Sequence, residues 1–345
     1  MEKILAKDSL SKWVATLADA DVYSPVFEDN QWNYEIIDDA EKVRLDHALA
    51  VHSPKKVVFP QREVYFEFTV KTGIPPQFVE VQPKEKRTVV FGVRPCDGKS
   101  MMHLDKVFDD DFEDTYYTRR RNQTVLVGIA CATPPSRNCF CTSVNGSPAA
   151  EEGLDILMTE LGDNYFVKFL TDRGKALADN AEALFTDAND ADVQGVAKVH
   201  EEAIAKMPRN IDKVEEIPVT LKENFDSPVW DQEAMRCIEC GICTFLCPTC
   251  HCFDIADEVS NTYPVEGKRV RTWDTCQFPD FTMHSSGHNP RNDKAARLRQ
   301  RVAHKFQYFV ENFDQYLCTG CGRCITDCPV GIDIIDVVNK VRSHG

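Results

Sequence analysis

The chain has 345 residues, enough for two domains rather than one, and its apolar fraction of 43% is enough for real cores. A formal charge of −15 disfavours a nucleic-acid role, because a phosphate-binding surface needs a basic footprint, and fits specific protein partners instead. No stretch reaches the roughly 18 apolar residues of a membrane helix.

In chain order, Ile4, Leu10, Trp13, Val14 and Leu17 recur at helical spacing behind charged neighbours, which predicts an amphipathic helix. This opening has neither the apolar run nor the cleavage site of a secretory leader. Fifteen cysteines are therefore expected in a reduced, anaerobic cytoplasm, held by iron rather than paired with each other. Short apolar runs at 57–59, 64–66, 89–93, 125–129 and 165–169, bounded by Pro, Gly and polar clusters, predict strands. The Ala-, Glu- and Lys-rich stretch 173–207 reads as helical and 208–218 as a connection. The expected fold is an α/β domain over 1–220, followed by a mainly α-helical domain over 221–345.

The second domain carries two copies of one pattern. Cys237, Cys240, Cys243 and Cys247 precede Pro248, and Cys318, Cys321, Cys324 and Cys328 precede Pro329, both as C-x-x-C-x-x-C-x-x-x-C-P. In a two-cluster ferredoxin each run gives three thiolates to one [4Fe–4S] cube and its fourth to the other. The expected ligand sets are Cys237, Cys240, Cys243 and Cys328 for one cube, and Cys318, Cys321, Cys324 and Cys247 for the other. A zinc site would use two pairs of cysteines per ion and has no need of a third close cysteine or the trailing proline. About 70 residues separate the runs, which predicts the helical kind of ferredoxin in an extended module, with helices near 293–312 and 332–341.

The runs at 89–93 and 125–129 each end near a glycine and lead to a cysteine, Cys96 and Cys131, with a crossover helix expected over 98–108. Such a βαβ unit sets both cysteines at the carboxyl edge of neighbouring strands, where ligand sites gather. Cys139 and Cys141 follow closely. Four thiols at one sheet edge would suit a third [4Fe–4S] cube; the alternative is that they are small buried apolar side chains.

Cys250, Cys252 and Cys276 remain, close enough to a cluster by sequence to pack against it and tune it, or for Cys250 to compete as a ligand. The basic stretch 268–271 and the run Arg291, Lys294, Arg297, Arg299, Arg301 and Lys305 read either as a docking patch or as charge that offsets the anionic cubes. His284 and His288 fit ordinary loop hydrogen bonding better than a metal. No glycine-rich dinucleotide fingerprint or phosphate loop is present, and Gly98, Lys99 and Ser100 are only a fragment of one.

The order of Arg94, Pro95, Cys96 and Asp97, then Cys131, then Cys139 and Cys141, then the first run with its Cys250 and Cys252 extension, Trp273 with Cys276, and the second run resembles a known family. It is similar to the A-type subunit of anaerobic sulfite reductases, to the beta subunit of cytoplasmic sulfhydrogenases, and to the iron–sulfur subunit of flavin oxidoreductases that work with heterodisulfide reductase. The resemblance spans nearly the whole chain from about residue 55. It implies an electron-transfer subunit, with FAD and NAD(P) on one partner and the terminal catalyst on another. Two other readings stand beside it. One is a protein that reduces a small substrate at its own cluster, which only the spare cysteines favour. The other is an iron–sulfur sensor that binds DNA, which the charge disfavours.

Overall fold

The computed structural model describes residues 1–343. Its larger sheet contains β1 (Glu2–Ala6), β2 (Asp21–Glu28), β3 (Gln31–Ile36), β6 (Thr88–Val93), β7 (Thr124–Ile129), β8 (Ile156–Leu161), β9 (Asn164–Phe169) and β10 (Phe185–Asp187). The strand order is β10-β1-β9-β8-β7-β6-β2-β3. The central strands β2, β6, β7 and β8 run parallel, and the edges are antiparallel. Alternation along β6, shifted by a bulge at Gly92, divides two cores. Val89 and Phe91 face Trp13 and Leu5, whereas Val90 and Val93 face Met101 and Leu104 of the crossover helix Pro95–Phe108.

A second sheet is antiparallel throughout, in the order β11-β12-β4-β5, with β4 at Arg62–Lys71, β5 at Ile74–Glu80, β11 at Phe253–Thr262 and β12 at Val265–Trp273. Two of its strands precede residue 220 and two follow it. A third core is helical. It is built from Trp230, Val302, Phe306, Val337 and Val341, and it takes in Phe140 and Val144 from the earlier half.

An α/β, sheet-rich first part and a later part carrying helices and both cysteine runs are present, as are the strands at 64–66, 89–93, 125–129 and 165–169 and the crossover helix. Four expectations need correction. Ile4 lies in β1, between β9 and β10, and only Leu10–Ala15 is helical, because pairing with strands some 160 residues away overrides the local pattern. Val57 and Val58 lie in the helical turn Lys55–Val58, entered through Pro54, and Phe59 ends it; three apolar residues do not distinguish a buried turn from a strand. The stretch 173–207 is interrupted by β10, between helices Asp172–Ala176 and Asp190–Ala205. The last part is not wholly helical, since β11 and β12 form a long hairpin there.

Candidate metal centres

Both cysteine runs make the same turn. Directly after Cys240 and Cys321, Gly241 and Gly322 adopt φ of 73° and 77°, a region open to glycine, and each opens a four-residue helical turn. Two residues past the first cysteine, a backbone N–H donates to its sulfur: Glu239 to Cys237 and Gly320 to Cys318, both at 3.4 Å. Ile332 N–H likewise donates to Cys328 Sγ at 3.2 Å. Such donors stabilise charge on a metal-bound sulfur.

Three cavities collect the cysteines. Cys237, Cys240, Cys243 and Cys328 line the first, together with Gln277, Arg301 and Cys324. Cys247, Cys318, Cys321 and Cys324 line the second, with Arg301 and Lys305. Cys96, Cys131, Cys139 and Cys141 line the third, with Gly320 and Cys321. The last cysteine of each run thus faces the cavity of the other. Among the described residues, no group of three or more His, Cys, Asp or Glu side chains is set to hold a single metal ion.

The third cavity draws on both halves of the chain. Cys96 sits in the first turn of the crossover helix, behind Pro95, whose missing N–H is harmless at that position. Cys131 follows β7 and is fixed by its N–H to the Pro148 carbonyl at 2.8 Å. The segment 138–141 is held by the second run. Phe140 N–H donates to the Gly320 carbonyl at 2.8 Å, and Asn138 Nδ2 donates to Thr326 Oγ1 at 2.9 Å. At Gly320, with φ of 67°, an added Cβ would lie 2.5 Å from the Cys141 Cα, so only glycine allows this approach.

Burial pushes the thiol of Cys139 up to about 11, and those of Cys141 and Cys243 up to about 12. A metal bound by these groups would have to displace their protons, so loading would release protons. The donor set, four sulfurs around a space rather than around a point, fits an iron–sulfur cluster at each cavity.

The basic run faces largely inward. Arg297, Arg301 and Lys305 are buried, and Lys294 Nζ donates to the Cys237 carbonyl at 2.7 Å. Arg297 pairs with Glu239, while Arg299 lies outside, 3.8 Å over the Phe225 ring. In the other basic stretch, Lys268 and Arg269 pair with Glu67 and Asp257 at 2.8 Å each, and Arg271 is buried against Glu63 and Asp114. Charge compensation, rather than an open basic patch, describes most of these residues. His284 and His288 close a loop, with His284 N–H donating to the His288 carbonyl at 2.8 Å.

Of the remaining cysteines, Cys250 shares a hydrogen bond with the Cys247 thiol and receives one from Arg301 Nη1 at 3.6 Å. Cys252 and Cys276 contact each other at the base of the β11–β12 hairpin. A hydrogen bond with the Cys252 thiol lowers the Cys276 pKa, and Gln277 Nε2 adds another at 3.4 Å. Sequence reasoning missed Lys55, whose Nζ is buried against the first run's tail, and the Asp97–Arg323 pair between the second and third cavities. The available signal was charge beside a cysteine at the end of an apolar strand, as at Arg94 and Asp97.

A family profile described as a 4Fe-4S dicluster domain matches residues 236–332. The chain is 32% identical to sulfhydrogenase 2 subunit beta of Pyrococcus furiosus over 325 residues, covering 93% of this chain and 92% of that protein. No solved structure matches significantly. None of the helices among the described residues is long and apolar enough to cross a membrane. Paired cysteine runs, their crossed cavities and a likeness over nearly its full length make this chain an iron–sulfur electron-transfer subunit that belongs to the sulfhydrogenase beta subunit family.

Proposed function

We propose that the chain relays single electrons within a cytoplasmic, multisubunit oxidoreductase. The relay runs between a partner subunit that binds FAD and NAD(P) and another that holds the terminal catalyst of sulfite reductase, hydrogenase or heterodisulfide reductase type. The observation that carries this reading is that the three cysteine-lined cavities share walls. Cys324 and Arg301 line both the first and the second, and Cys321 lines both the second and the third. The cavities therefore adjoin in series, with the second in the middle.

Each cavity would hold one [4Fe–4S] cube, which takes up and releases one electron with little change of shape. The ligand sets are Cys237, Cys240, Cys243 and Cys328; Cys318, Cys321, Cys324 and Cys247; and Cys96, Cys131, Cys139 and Cys141. The first two belong to a helical ferredoxin-like unit over 221–345, and the third to the α/β unit over 1–220. The surrounding protein shields most of these cysteines, leaving Cys240 exposed, donates N–H groups to Cys237, Cys318 and Cys328, and fixes the spacing. A hydride carrier delivers electrons in pairs, so a flavin must divide them before such a relay. This chain has no glycine-rich fingerprint, and Gly98 packs against Leu154 inside a helix, which supports placing the flavin on a partner.

Iron and acid-labile sulfide counted on the anaerobically reconstituted chain test the proposal. About twelve irons correspond to three cubes and about eight to two. Cys131→Ser should lower the count by about one cube, and a full count in that variant removes Cys131 from the ligand set. Substrate turnover by the chain without partners would overturn the relay as its whole function.

A further inference from the structure

Three cations lie buried around the tail of the first cysteine run, beside the second cavity. Lys55 is 2% exposed, and its Nζ donates to the carbonyls of Cys250 at 2.8 Å and Cys247 at 3.1 Å, while lying 4.0 Å over the Trp273 ring. Lys305 is 2% exposed and donates to Thr249 Oγ1 at 2.7 Å; that hydroxyl lies 3.4 Å from Cys247 Sγ. Arg301 is 5% exposed and reaches Cys250 Sγ. None of the three forms an ion pair with a carboxylate among the described residues; their polar partners are carbonyls, a hydroxyl and sulfur.

Buried cations are costly unless compensated. Here they come from separate parts of the chain, Lys55 from the segment before β4 and the other two from a helix near the second run. The fold nevertheless brings them to one place. The nearest groups able to carry compensating negative charge are the Cys247 and Cys250 sulfurs, and that charge grows when thiolates carry a metal cluster.

The other cavities differ. Beside the first, Arg301 is shared with the second cavity, Lys294 is only part-buried and Arg297 is neutralised by Glu239, so Lys55 and Lys305 are what set the second apart. Beside the third, Arg323 is neutralised by Asp97, and Lys99, half-buried, points to the Val144 and Asn145 carbonyls. Arg94, at 4.0 Å from Cys131 Sγ, is the buried guanidinium left there. Uncompensated buried positive charge is greatest at the second cavity.

We propose that Lys55, Lys305 and Arg301 make the middle site the most readily reduced of the three, so that a single electron rests there between transfers. The proposal rests on the reading of three sites in series. Reduction adds one negative charge to a site, and nearby cations in a medium of low dielectric favour it. A resting place in the middle suits a relay beside a flavin that divides electron pairs. One electron waits inside the protein while its partner follows.

The test is an EPR-monitored redox titration of the anaerobically reconstituted full chain, with iron content measured on every sample. In wild type, the expected result is one midpoint potential above the others. Lys55→Gln and Lys305→Gln should each move that same midpoint to more negative values and leave the others in place. Lys305→Arg should return it toward wild type. The proposal fails if the highest midpoint stays put in both variants, if the two variants move different midpoints, or if all move together. It also fails if iron is lost while the surviving midpoints are unchanged, since the lysines are then structural only. A wild-type count of about eight irons with a lysine-sensitive highest midpoint would overturn the three-site series and leave the role of the lysines standing.

Discussion

Arg323 holds Asp97 with both arms of its guanidinium, at 2.6 and 2.8 Å, and neither side chain reaches solvent. Asp97 follows Cys96 and Arg323 precedes Cys324, so this pair ties the wall of the third cavity to that of the second. Arg323 Nε also donates to the Ala50 carbonyl at 2.7 Å, so each guanidinium nitrogen has a partner. A bidentate pair with its spare donor used is the geometry in which burying two charges is tolerable.

Removing one partner should therefore be costly. Asp97→Ala strands a buried guanidinium and is expected to destabilise the reconstituted chain by about 3–5 kcal/mol, read from denaturant unfolding. The double variant Asp97→Leu with Arg323→Met should recover much of that loss. A single variant within about 1 kcal/mol of wild type would put this pair in the class of exposed ion pairs.

Arg271 holds the second sheet to the body. It is fully buried on β12, donates to Glu63 Oε2 at 2.5 Å and to Asp114, and lies over the Phe59 ring at 4.9 Å. Arg271→Ala leaves Glu63 with Arg120 alone and Asp114 with only its helix-capping bonds, and should cost up to about 3 kcal/mol. Limited proteolysis should then cut first in the β11–β12 hairpin. The same treatment of Arg269→Ala, which breaks an exposed pair on the same strand, should give the wild-type pattern.

Gly320→Ala tests the contact that brings Cys139 and Cys141 into place. The added methyl meets backbone rather than a movable side chain, at a residue whose φ is also positive. The expected loss is about four irons per chain, with the secondary structure by circular dichroism unchanged. Full iron content in this variant would show that the 138–141 segment tolerates displacement.

His47 gives the pH dependence a direction. It is buried, with Nε2 2.8 Å from the Gly92 carbonyl, and burial, helped by the Arg94 charge, lowers its pKa from 6.5 to about 4. The unfolded chain takes up this proton near pH 6.5, whereas the folded chain resists until about pH 4. The stability contributed by neutral His47 is thus complete above pH 6.5 and lost as the pH falls from 6.5 toward 4. Denaturation measured across this window should show a shallower decline in His47→Gln. An identical slope would assign the acid sensitivity to other buried histidines, such as His103, lowered to about 3 by burial.

The central strands were legible because Val89 to Val93 and Val125 to Ile129 are continuous apolar runs, as strands covered on both faces must be. Cys96 and Cys131 could be placed at one sheet edge by the βαβ rule alone. The hairpin at β11 and β12 was not legible. Every residue of β11 is exposed, so its composition records no buried face, and its sheet is completed by β4, far away in sequence. Lys55 was equally hidden. A lysine next to Lys56 in a polar stretch looks solvated, and only the arrival of Cys247, Cys250 and Trp273 in space makes it a buried charge.

The split origin of the second sheet also has a consequence for biosynthesis. On the ribosome, β4 and β5 emerge long before β12, the strand that lies against β4. At ordinary elongation rates that interval is roughly ten to thirty seconds. Through it the nascent chain carries an open strand edge beside exposed Ile74, Phe78 and Val79. Gly320, which seats Cys139 and Cys141, emerges later still. A cluster at the earliest cysteines would therefore wait for the second cysteine run, and an interrupted chain would present an adhesive edge and an unfinished thiol nest to whatever surveys it.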